Sequence, residues 1–544
     1  MGGSENLIKK THNKIMDRLK EMSLINALIA LIIFVAVAFL MNFYVSAEHR
    51  IFAYMQMFLF FIPTCILVIY AEKQGANRLM VAVISTLVAV GILVQYVIIP
   101  INQDIKNSTV DAWAVKQVII AFLSIGFIFV YMWARHLILK KAKKSALWII
   151  MLASLVLTAI CCVLPEINGA RNWVYIMGFS LQITEFIKLF GVVFMGELIL
   201  SEYSDWTKFV IMTVYIVVTA LALFVRINEM GTMIILGLVY LALTFNYLRA
   251  KWLRPFVSLV CIVLVGVFAC GYIYMDSIAC QWDCINECKV IAMDEKGNYI
   301  KDENGDYKYT DEILKVSGIR CPRCAERGVE TRSYYKTPTF SCPKCFYLKF
   351  DYKDVTPDMA CPVCSDHLLL GSKYGSKFSK IYQRFALVFS YDKCKEMDFA
   401  DQIRDGLDAA KRGGFTGASE DGLTYIINAN NDSVVAAVAN RMGLIWVLGI
   451  LLCYYILFLS VKHLRSPVKV SVILAFCLQA LVTYLCNYNL FALTGIGVPF
   501  ISSGGSIYMV SLTFAHILFT RDERYIKGAI SSNNADKEKG GAHI

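Results

Sequence analysis

Long apolar runs separated by short polar connections occupy most of the chain, and one long polar stretch interrupts them in the second half. Each run has roughly 17 to 22 residues, which is enough to cross about 30 Å of hydrocarbon as an α-helix. Twelve such runs begin near Leu24, Ile51, Leu79, Val118, Ala146, Thr184, Phe209, Met230, Phe256, Met442, Val470 and Ser506. The pattern therefore predicts an all-α polytopic membrane protein with about twelve transmembrane helices.

The composition supports this class, because 57% of the 544 residues are hydrophobic and only 17% are charged, which is too apolar for a soluble protein. Basic residues collect on one side of a twelve-helix alternation: in the N-terminal tail, in residues 140–144, 249–254 and 462–465, and in the tail from Arg521. Because basic short loops stay in the cytoplasm, we expect both termini there and the polar stretch 276–441 outside. The net charge of +11 then reflects topology and attraction to anionic lipid rather than nucleic-acid binding.

The same pattern predicts how the chain is divided. In chain order, the parts are a cytoplasmic tail (1–23), N-terminal transmembrane helices (24–164), a first part of a membrane core (165–275), an extracytoplasmic cysteine-rich insertion (276–380), an extracytoplasmic loop (381–441), the second part of the core (442–520) and a cytoplasmic tail (521–544).

Charged residues in or beside apolar runs are the first functional candidates, because charge is costly to bury in a bilayer. Glu185 and Lys188 lie three residues apart, hence on one face of a helix, where they can neutralise each other. They form either a structural ion pair or part of a site, and their depth in the membrane favours a site. Arg226 and Glu229 again place charge at the mouth of a helix.

Asp432 lies at the far end of the polar stretch, just before an apolar helix. A carboxylate at the lip of a membrane helix is well placed to meet a lipid-linked substrate and to act as a general base. The alternative is a residue at a helix N-terminus that satisfies free backbone N–H groups, a position that aspartate favours. Further on, residues 493–506 are broken by Gly and Pro, which predicts a cavity wall or a tight turn.

Several short motifs, in this order, resemble the shape, elongation, division and sporulation (SEDS) family, typified by RodA, FtsW and SpoVE. The family's Asn-Gly-Ala-Arg-Arg-Trp is similar to residues 168–173, and its Gln-Pro-Ser-Glu-Phe-Ala-Lys-Leu to residues 182–189. Its Gln-Pro-Asp-Leu-Gly-Thr is similar to residues 227–232, its His-Thr-Asp-Phe-Ile-Phe-Ala to residues 430–436, and its Pro-Phe-Ile-Ser-Tyr-Gly-Gly-Ser to residues 499–506. The family has three helices before the first motif and this chain has five, which implies a ten-helix core preceded by an added pair.

The resemblance implies an inverting peptidoglycan glycosyltransferase of the bacterial cytoplasmic membrane. Such enzymes polymerise lipid II, the undecaprenyl-diphosphate disaccharide-peptide, into glycan strands during elongation, division or sporulation. The resemblance assigns the general base to Asp432. It assigns substrate binding to Arg171, Glu185, Lys188, Glu229, Ser502, Gly504 and Gly505.

Arg171 and Lys188 are the cations that the resemblance matches to the departing diphosphate, with a divalent cation as a candidate cofactor. A class B penicillin-binding transpeptidase is the expected partner. Some motifs are altered, for example Asn228-Glu229 in place of Pro-Asp. Two alternatives therefore stay open: a transporter of lipid-linked precursors, and an inactive scaffold of the wall-synthesis machinery.

The insertion contains three Cys-x-x-Cys units, each with proline after the first cysteine. Their cysteines are Cys321, Cys324, Cys342, Cys345, Cys361 and Cys364. This spacing is typical of zinc-ribbon knuckles, two of which supply the four thiolates of a tetrahedral site. Thiols outside the cytoplasm commonly oxidise, but a disulfide across a two-residue spacing closes a strained small loop, so zinc is favoured over an all-disulfide module. The sequence does not indicate which knuckles pair.

Overall fold

The computed structural model describes residues 25–73, 77–99, 119–120, 122–134, 145–167, 170–176, 179–249, 253–280, 289–291, 300–301, 308–313, 316–320, 327–331, 339–341, 384–385, 387–389, 391, 400–419, 422, 425–464 and 466–520. The helices, numbered in chain order, are α1 Ile25–Tyr44, α2 Ala47–Lys73, α3 Arg78–Val97, α4 Phe122–Ala134, α5 Ala146–Val163, α6 Ile183–Ile199, α7 Asp205–Leu221, α8 Met230–Tyr247, α9 Leu253–Cys280, α10 Asp401–Gly413, α11 Val434–Met442, α12 Leu444–Leu459, α13 Pro467–Asn487 and α14 Gly505–Phe519. A π-helical turn, Ala222–Ile227, follows α7, and a 3₁₀ turn, Ser460–His463, follows α12.

Every predicted apolar run coincides with one of these helices. Within the described ranges, nine helices are long and apolar enough to cross a membrane, so the chain is a multi-pass membrane protein, as predicted. Three of the predicted runs, at α4, α6 and α14, form shorter helices. The number of helices that cross the bilayer, and the sidedness of the termini and the insertion, stay predictions.

The run predicted to begin near Met442 is divided at a glycine. Gly443 has φ +86° and separates α11 from α12. A Cβ atom at this position would collide with the backbone of Phe415 and with the Gly417 nitrogen. Gly443 therefore lets the backbone near Phe415 approach closely, and it adopts a left-handed backbone that other residues rarely adopt. The next helix, α12, begins after it, at Leu444.

The helix at the centre of the membrane core is α6. Nearly all of its side chains are buried, and most of them are apolar, as expected for a helix of the core. It packs against α5, α8, α13 and α14. By contrast, α5, α7 and α12 each expose a row of large apolar side chains, such as Leu152, Val214 and Leu452, which is the surface that lipid covers in a membrane protein. The charged candidates Glu185 and Lys188 thus lie on a helix that is almost entirely buried.

The chain separates into two compact units, Met1–Arg254 with Gln402–Ile544, and Pro255–Asp401. The first unit contains the antiparallel hairpin of β1 (Trp173–Ile176) and β2 (Phe179–Gln182), which leads directly into α6. The second contains two small antiparallel sheets: β3 (Lys289–Ile291) with β4 (Tyr309–Ile313), and β5 (Val316–Arg320), β6 (Arg327–Thr331) and β7 (Thr339–Ser341) in that order. The six knuckle cysteines lie outside the described residues.

Candidate functional site

Asp432 lies in a turn immediately before α11, and we call residues 428–433 the Asp432 turn. Asn428 adopts a left-handed backbone with φ +53°, which asparagine tolerates. Its carbonyl oxygen accepts hydrogen bonds from the backbone N–H groups of Asn431, at 3.0 Å, and Ser433, at 3.1 Å. These bonds close the turn on itself and leave Asp432 half-buried at its end.

A second segment, residues 493–503, packs on this turn, and we call it the 493–503 loop. The Ser502 hydroxyl donates to the Asn431 carbonyl oxygen at 2.9 Å and accepts from the Val498 N–H at 2.8 Å. The Ser503 N–H donates to the Asn430 carbonyl oxygen at 2.8 Å. The loop has no regular secondary structure, yet most of it is buried. It is therefore irregular backbone that is buried in protein, one of the settings in which such backbone is tolerated in a membrane protein, and neighbouring protein groups satisfy several of its polar atoms.

The Asp432 carboxylate is directed toward Gly495 of this loop. Gly495 has φ +72°, and a Cβ atom built on it would lie 3.6 Å from Asp432 Oδ2. Glycine therefore serves two purposes here, because it permits the left-handed backbone and places no side chain against the carboxylate.

Beneath the loop lies a cluster of buried charges. Lys188 Nζ is 2.6 Å from Glu185 Oε2, with side chains only 1% and 3% exposed. The same ammonium donates to Gln479 Oε1 at 2.6 Å, and Gln479 Nε2 donates to the Gly497 carbonyl oxygen at 2.9 Å. The sequence predicted the pairing of Glu185 with Lys188 but not the connection through Gln479 to the 493–503 loop.

Glu229 belongs to the same cluster and lies in the connection between α7 and α8. Its carboxylate accepts two hydrogen bonds from the Thr232 N–H, at 3.0 and 3.2 Å, and so caps α8. Burial raises the pKa of the Glu229 carboxyl above its usual range, and the Thr232 hydrogen bonds and the Lys188 charge oppose that shift. The structure thus brings Glu185, Lys188 and Glu229 together in the protein interior.

Arg171 occupies a different environment. Its guanidinium donates to the Leu164 carbonyl oxygen at 3.2 Å and lies 3.7 Å from the Glu166 carboxylate. The Arg171 side chain is 25% exposed, against 1% for Lys188. Of the two cations that were predicted to meet a diphosphate, Arg171 is the accessible one and Lys188 is fully enclosed.

The remaining predicted residues lie at the end of the loop. Ser502 is buried, and its hydroxyl is used on backbone groups of the Asp432 turn and of the loop itself. Gly504 is the N-cap residue of α14, and Gly505 is the first residue of that helix. Their assignment to substrate binding stays a prediction.

Two residues of α13 that contact this site were not predicted from the sequence. Gln479 reaches the 493–503 loop, and Asn487 donates to the Asp432 carbonyl oxygen at 2.7 Å. Between them, the Thr483 hydroxyl donates to the Ile496 carbonyl oxygen at 3.1 Å. These three polar residues recur every fourth position on a mostly apolar helix, so they share one face. That polar stripe is a signal in the sequence that would have identified them.

Among the residues with described positions, no group of three or more His, Cys, Asp or Glu side chains is arranged to hold a metal ion. The described protein groups therefore do not form a complete site for a divalent cation around Asp432. The predicted knuckle cysteines fall outside that part of the chain.

Comparisons with known proteins add the following. The family model described as cell cycle protein, covering FtsW, RodA and SpoVE, matches residues 77–282 and 370–524, which is more than half of the chain. The match begins just before α3, so α1 and α2 precede it, and residues 283–369 are unmatched. Curated protein sequences give no significant match.

Two solved structures are similar over most of their length. One is a chain from a peptidoglycan synthase complex, with 13% identity, a TM-score of 0.48, and coverage of 82% of this chain and 97% of that one. The other is the rod shape determining protein RodA of Thermus thermophilus, with 13% identity, a TM-score of 0.40, and coverage of 82% and 96%. At these identities and TM-scores, the likenesses carry no functional inference.

Proposed function

Because the chain belongs to the FtsW, RodA and SpoVE family of cell cycle proteins, we propose that it is a peptidoglycan glycosyltransferase that polymerises lipid II with inversion at the sugar. The observation that carries the proposal is the half-buried Asp432 carboxylate. It extends from the Asp432 turn toward Gly495 of the buried 493–503 loop. Family membership supports the role in cell wall synthesis, and the site supports the chemistry.

The proposed reaction is a single displacement. The 4-hydroxyl oxygen of the acceptor sugar attacks the anomeric carbon of the donor and forms the new glycosidic bond. The bond from that carbon to the diphosphate oxygen breaks, and undecaprenyl diphosphate leaves with the electron pair. Asp432 takes the proton of the attacking hydroxyl. One displacement inverts the anomeric centre and needs no enzyme nucleophile, so a single well-placed carboxylate suffices.

The surroundings of Asp432 suit a general base. Its turn is held by the hydrogen bonds from Ser502 and from the Ser503 N–H to the two residues before it. A catalytic group that is fixed in advance loses little orientational freedom when substrate binds. The Asp432 turn therefore presents the carboxylate from a held backbone, next to a glycine that has no side chain.

We propose different duties for the two matched cations. Arg171, which is partly exposed, would contact the departing diphosphate and stabilise the charge that develops on it. Lys188 is enclosed by Glu185 and Gln479, so we assign it to holding the 493–503 loop through Gln479. Glu185, which pairs with Lys188, and Glu229, which caps α8, are assigned to holding the buried cluster together. Ser502, Gly504 and Gly505 shape the wall against which substrate binds.

A divalent cation stays the candidate cofactor; because the described residues gather no three His, Cys, Asp or Glu side chains around one point, it would be bound mainly through the diphosphate of the substrate. No step of the proposed reaction is therefore assigned to a metal. Arg171 is assigned to compensate the negative charge of the diphosphate.

For the insertion we propose a zinc site built from the first two knuckles, Cys321 with Cys324 and Cys342 with Cys345. Arg320, at the end of β5, is paired with Arg327 at the start of β6, and Ser341, at the end of β7, is paired with Val329. β5 and β7 therefore end at the same end of the sheet. Because a knuckle follows each of these ends in the sequence, the register supports their joining in one four-thiolate site.

The third pair, Cys361 and Cys364, would then lie outside this site. Metal analysis of the purified full chain tests the assignment: Cys321→Ser should lose the zinc that Cys361→Ser retains. Loss of zinc in Cys361→Ser but not in Cys321→Ser would contradict the pairing, and a parental chain whose cysteines are oxidised and metal-free would contradict zinc altogether.

We also propose that the protein acts in the bacterial cytoplasmic membrane with a class B penicillin-binding transpeptidase, which would crosslink the strands that it makes. This partner follows from the family resemblance.

The test is polymerisation of lipid II by the purified chain, with and without a transpeptidase. Asp432→Asn should lower the rate by about 10² to 10⁴, as removal of a general base typically does. The amide is nearly isosteric, so folding and membrane insertion should persist. Asp408→Asn makes the same change at a half-exposed aspartate of α10 that faces Lys411, and it is the matched control for expression and insertion.

The alternatives give different results. A transporter would still move lipid II across a vesicle membrane with Asp432→Asn, and a scaffold would still support growth. Polymerisation by Asp432→Asn at the parental rate would show that the base assignment is wrong.

A further inference from the structure

The start of α11 depends on a side chain from another helix. The N-cap residue of α11, Ser433, makes no capping hydrogen bond with its side chain; its hydroxyl accepts instead from Gln402 Nε2 at 3.0 Å. The first N–H groups of a helix have no partner within the helix. One of them, the N–H of Ala436, donates to Asn487 Oδ1 at 3.1 Å.

The same amide also holds the carbonyl group of Asp432. Asn487 is the last residue of α13, its side chain is buried, and its Nδ2 donates to the Asp432 carbonyl oxygen at 2.7 Å and to the Thr483 carbonyl oxygen at 2.9 Å. Asn487 thus uses both of its donor hydrogens and one acceptor position, which an amide can do and a hydroxyl, carboxylate or methyl group cannot. If the amide were flipped, its oxygen would face the Asp432 and Thr483 carbonyl oxygens and its NH₂ group would face the Ala436 N–H. The hydrogen-bond partners therefore determine the orientation of the amide.

We infer that Asn487 is a positioning residue that fixes the Asp432 carboxylate by holding the backbone that follows it, from the Asp432 carbonyl group into the first turn of α11. The inference rests on the proposed function of Asp432 as base. One bond holds the carbonyl of Asp432 itself and the other holds the N–H of Ala436, four residues later. The 493–503 loop holds the residues before Asp432, so Asn487 supplies the second of two supports.

The rate test uses Asn487→Ala. Loss of both bonds should let the turn shift, and a small misplacement of a catalytic group can lower the rate by about 10²-fold. We expect kcat to fall by about 10- to 100-fold while KM changes by less than about threefold, because the diphosphate contact at Arg171 is unaffected.

The matched control is Asn440→Ala. Asn440 is an equally buried amide of the same neighbourhood, and it donates to the Ala409 carbonyl oxygen at 2.8 Å and the Gly422 carbonyl oxygen at 3.3 Å. It has no hydrogen bond to the Asp432 turn among these contacts. Asn440→Ala should reduce thermal stability without the selective loss of kcat. Equal losses of kcat in both variants would overturn the inference.

A second variant, Asn487→Asp, gives a signature that a structural role would not produce. An ionised carboxylate cannot donate to the Asp432 carbonyl, whereas a protonated one has both a donor and an acceptor. The ratio of parental to variant kcat should therefore fall by about tenfold between about pH 8 and about pH 5.5, since burial favours the protonated form. The same ratio for Asn487→Ala should stay flat, and a flat ratio for both variants would count against the inference.

Hydrogen exchange tests the inference without any activity. In the full chain in detergent, the Ala436 amide should exchange about tenfold faster in Asn487→Ala, which corresponds to the loss of one hydrogen bond. It should be unchanged in Asn440→Ala. If the parental chain does not polymerise lipid II, the proposed function fails while this exchange result still decides whether Asn487 holds the turn. Unchanged Ala436 exchange in Asn487→Ala would refute the positioning role.

Discussion

The buried pair of Lys188 and Glu185 allows a prediction about stability. Removing the ammonium by Lys188→Met leaves the Glu185 carboxylate, which is 3% exposed, without the partner 2.6 Å away. Breaking a buried ion pair by removing one partner typically costs about 3 to 5 kcal/mol. The protein can avoid a bare carboxylate by protonating it, and protonating an ordinary glutamate at neutral pH costs about 4 kcal/mol. The loss of stability that is due to the unpaired charge therefore cannot exceed about 4 kcal/mol.

The ammonium also donates to Gln479 Oε1, so the variant leaves that oxygen unsatisfied. A buried acceptor without a partner costs about 1 to 3 kcal/mol. In the double variant Glu185→Leu with Lys188→Met, the carboxylate is gone and only this second cost persists. A buried ion pair replaced by apolar residues is often neutral or stabilising. We therefore expect the single variant to be less stable than the double variant by about 3 to 4 kcal/mol.

Thermal unfolding of the purified chain in detergent measures the order of stability. The expected order is parental, then double variant, then Lys188→Met. Lys208→Met is a control that also removes a lysine. Lys208 donates to the Ile199 carbonyl oxygen at the end of α6, but it is not enclosed among buried charges. It should unfold close to the parental temperature. If Lys188→Met unfolds at or above the temperature of the double variant, the buried carboxylate is not the source of the loss and the reasoning is wrong.

Three further predictions concern the site and the topology. Gly495→Ala places a methyl group about 3.6 Å from the Asp432 carboxylate at φ +72°, so polymerisation should slow while the strain costs about 1 kcal/mol of stability; normal turnover by this variant would show that the space is not used. Gly413→Ala would collide with the Ala439 backbone. It should lower the unfolding temperature more than Gly414→Ala, whose Cβ meets nothing nearby and whose φ of +54° costs only about 1 to 2 kcal/mol; equal effects would contradict the close packing of α10 on α11. An impermeant thiol reagent on intact cells should label a cysteine placed at Gly305 but not Lys140→Cys, and the reverse result would overturn the topology.

The order of the helices could be predicted because each apolar run carries its own information. A segment of about 20 apolar residues must satisfy its backbone hydrogen bonds internally in lipid, whatever its neighbours are. Helices α5 and α8 accordingly begin at Ala146 and Met230, the residues at which the runs were predicted to begin. The boundary predicted near Met442 lies instead at Leu444, because Gly443 allows a close contact with Phe415, which is distant in sequence.

The family could also be predicted from the sequence, because short ordered motifs are local, and the family match confirmed it. The pairing of Glu185 with Lys188 followed from their spacing on one helix. The roles of the predicted site residues, the zinc site and the sidedness of the membrane stay predictions.

What the sequence determined by itself was therefore everything that depends on a single segment: the helices, the ion pair within α6, and Asp432 as the carboxylate before α11. Only the tertiary structure showed that Lys188 is enclosed while Arg171 is accessible, and that Asn487 holds Asp432 from 55 residues away. Burial and hydrogen bonds between distant segments depend on how helices pack, and a polar residue on an apolar helix does not by itself indicate which partner it will meet.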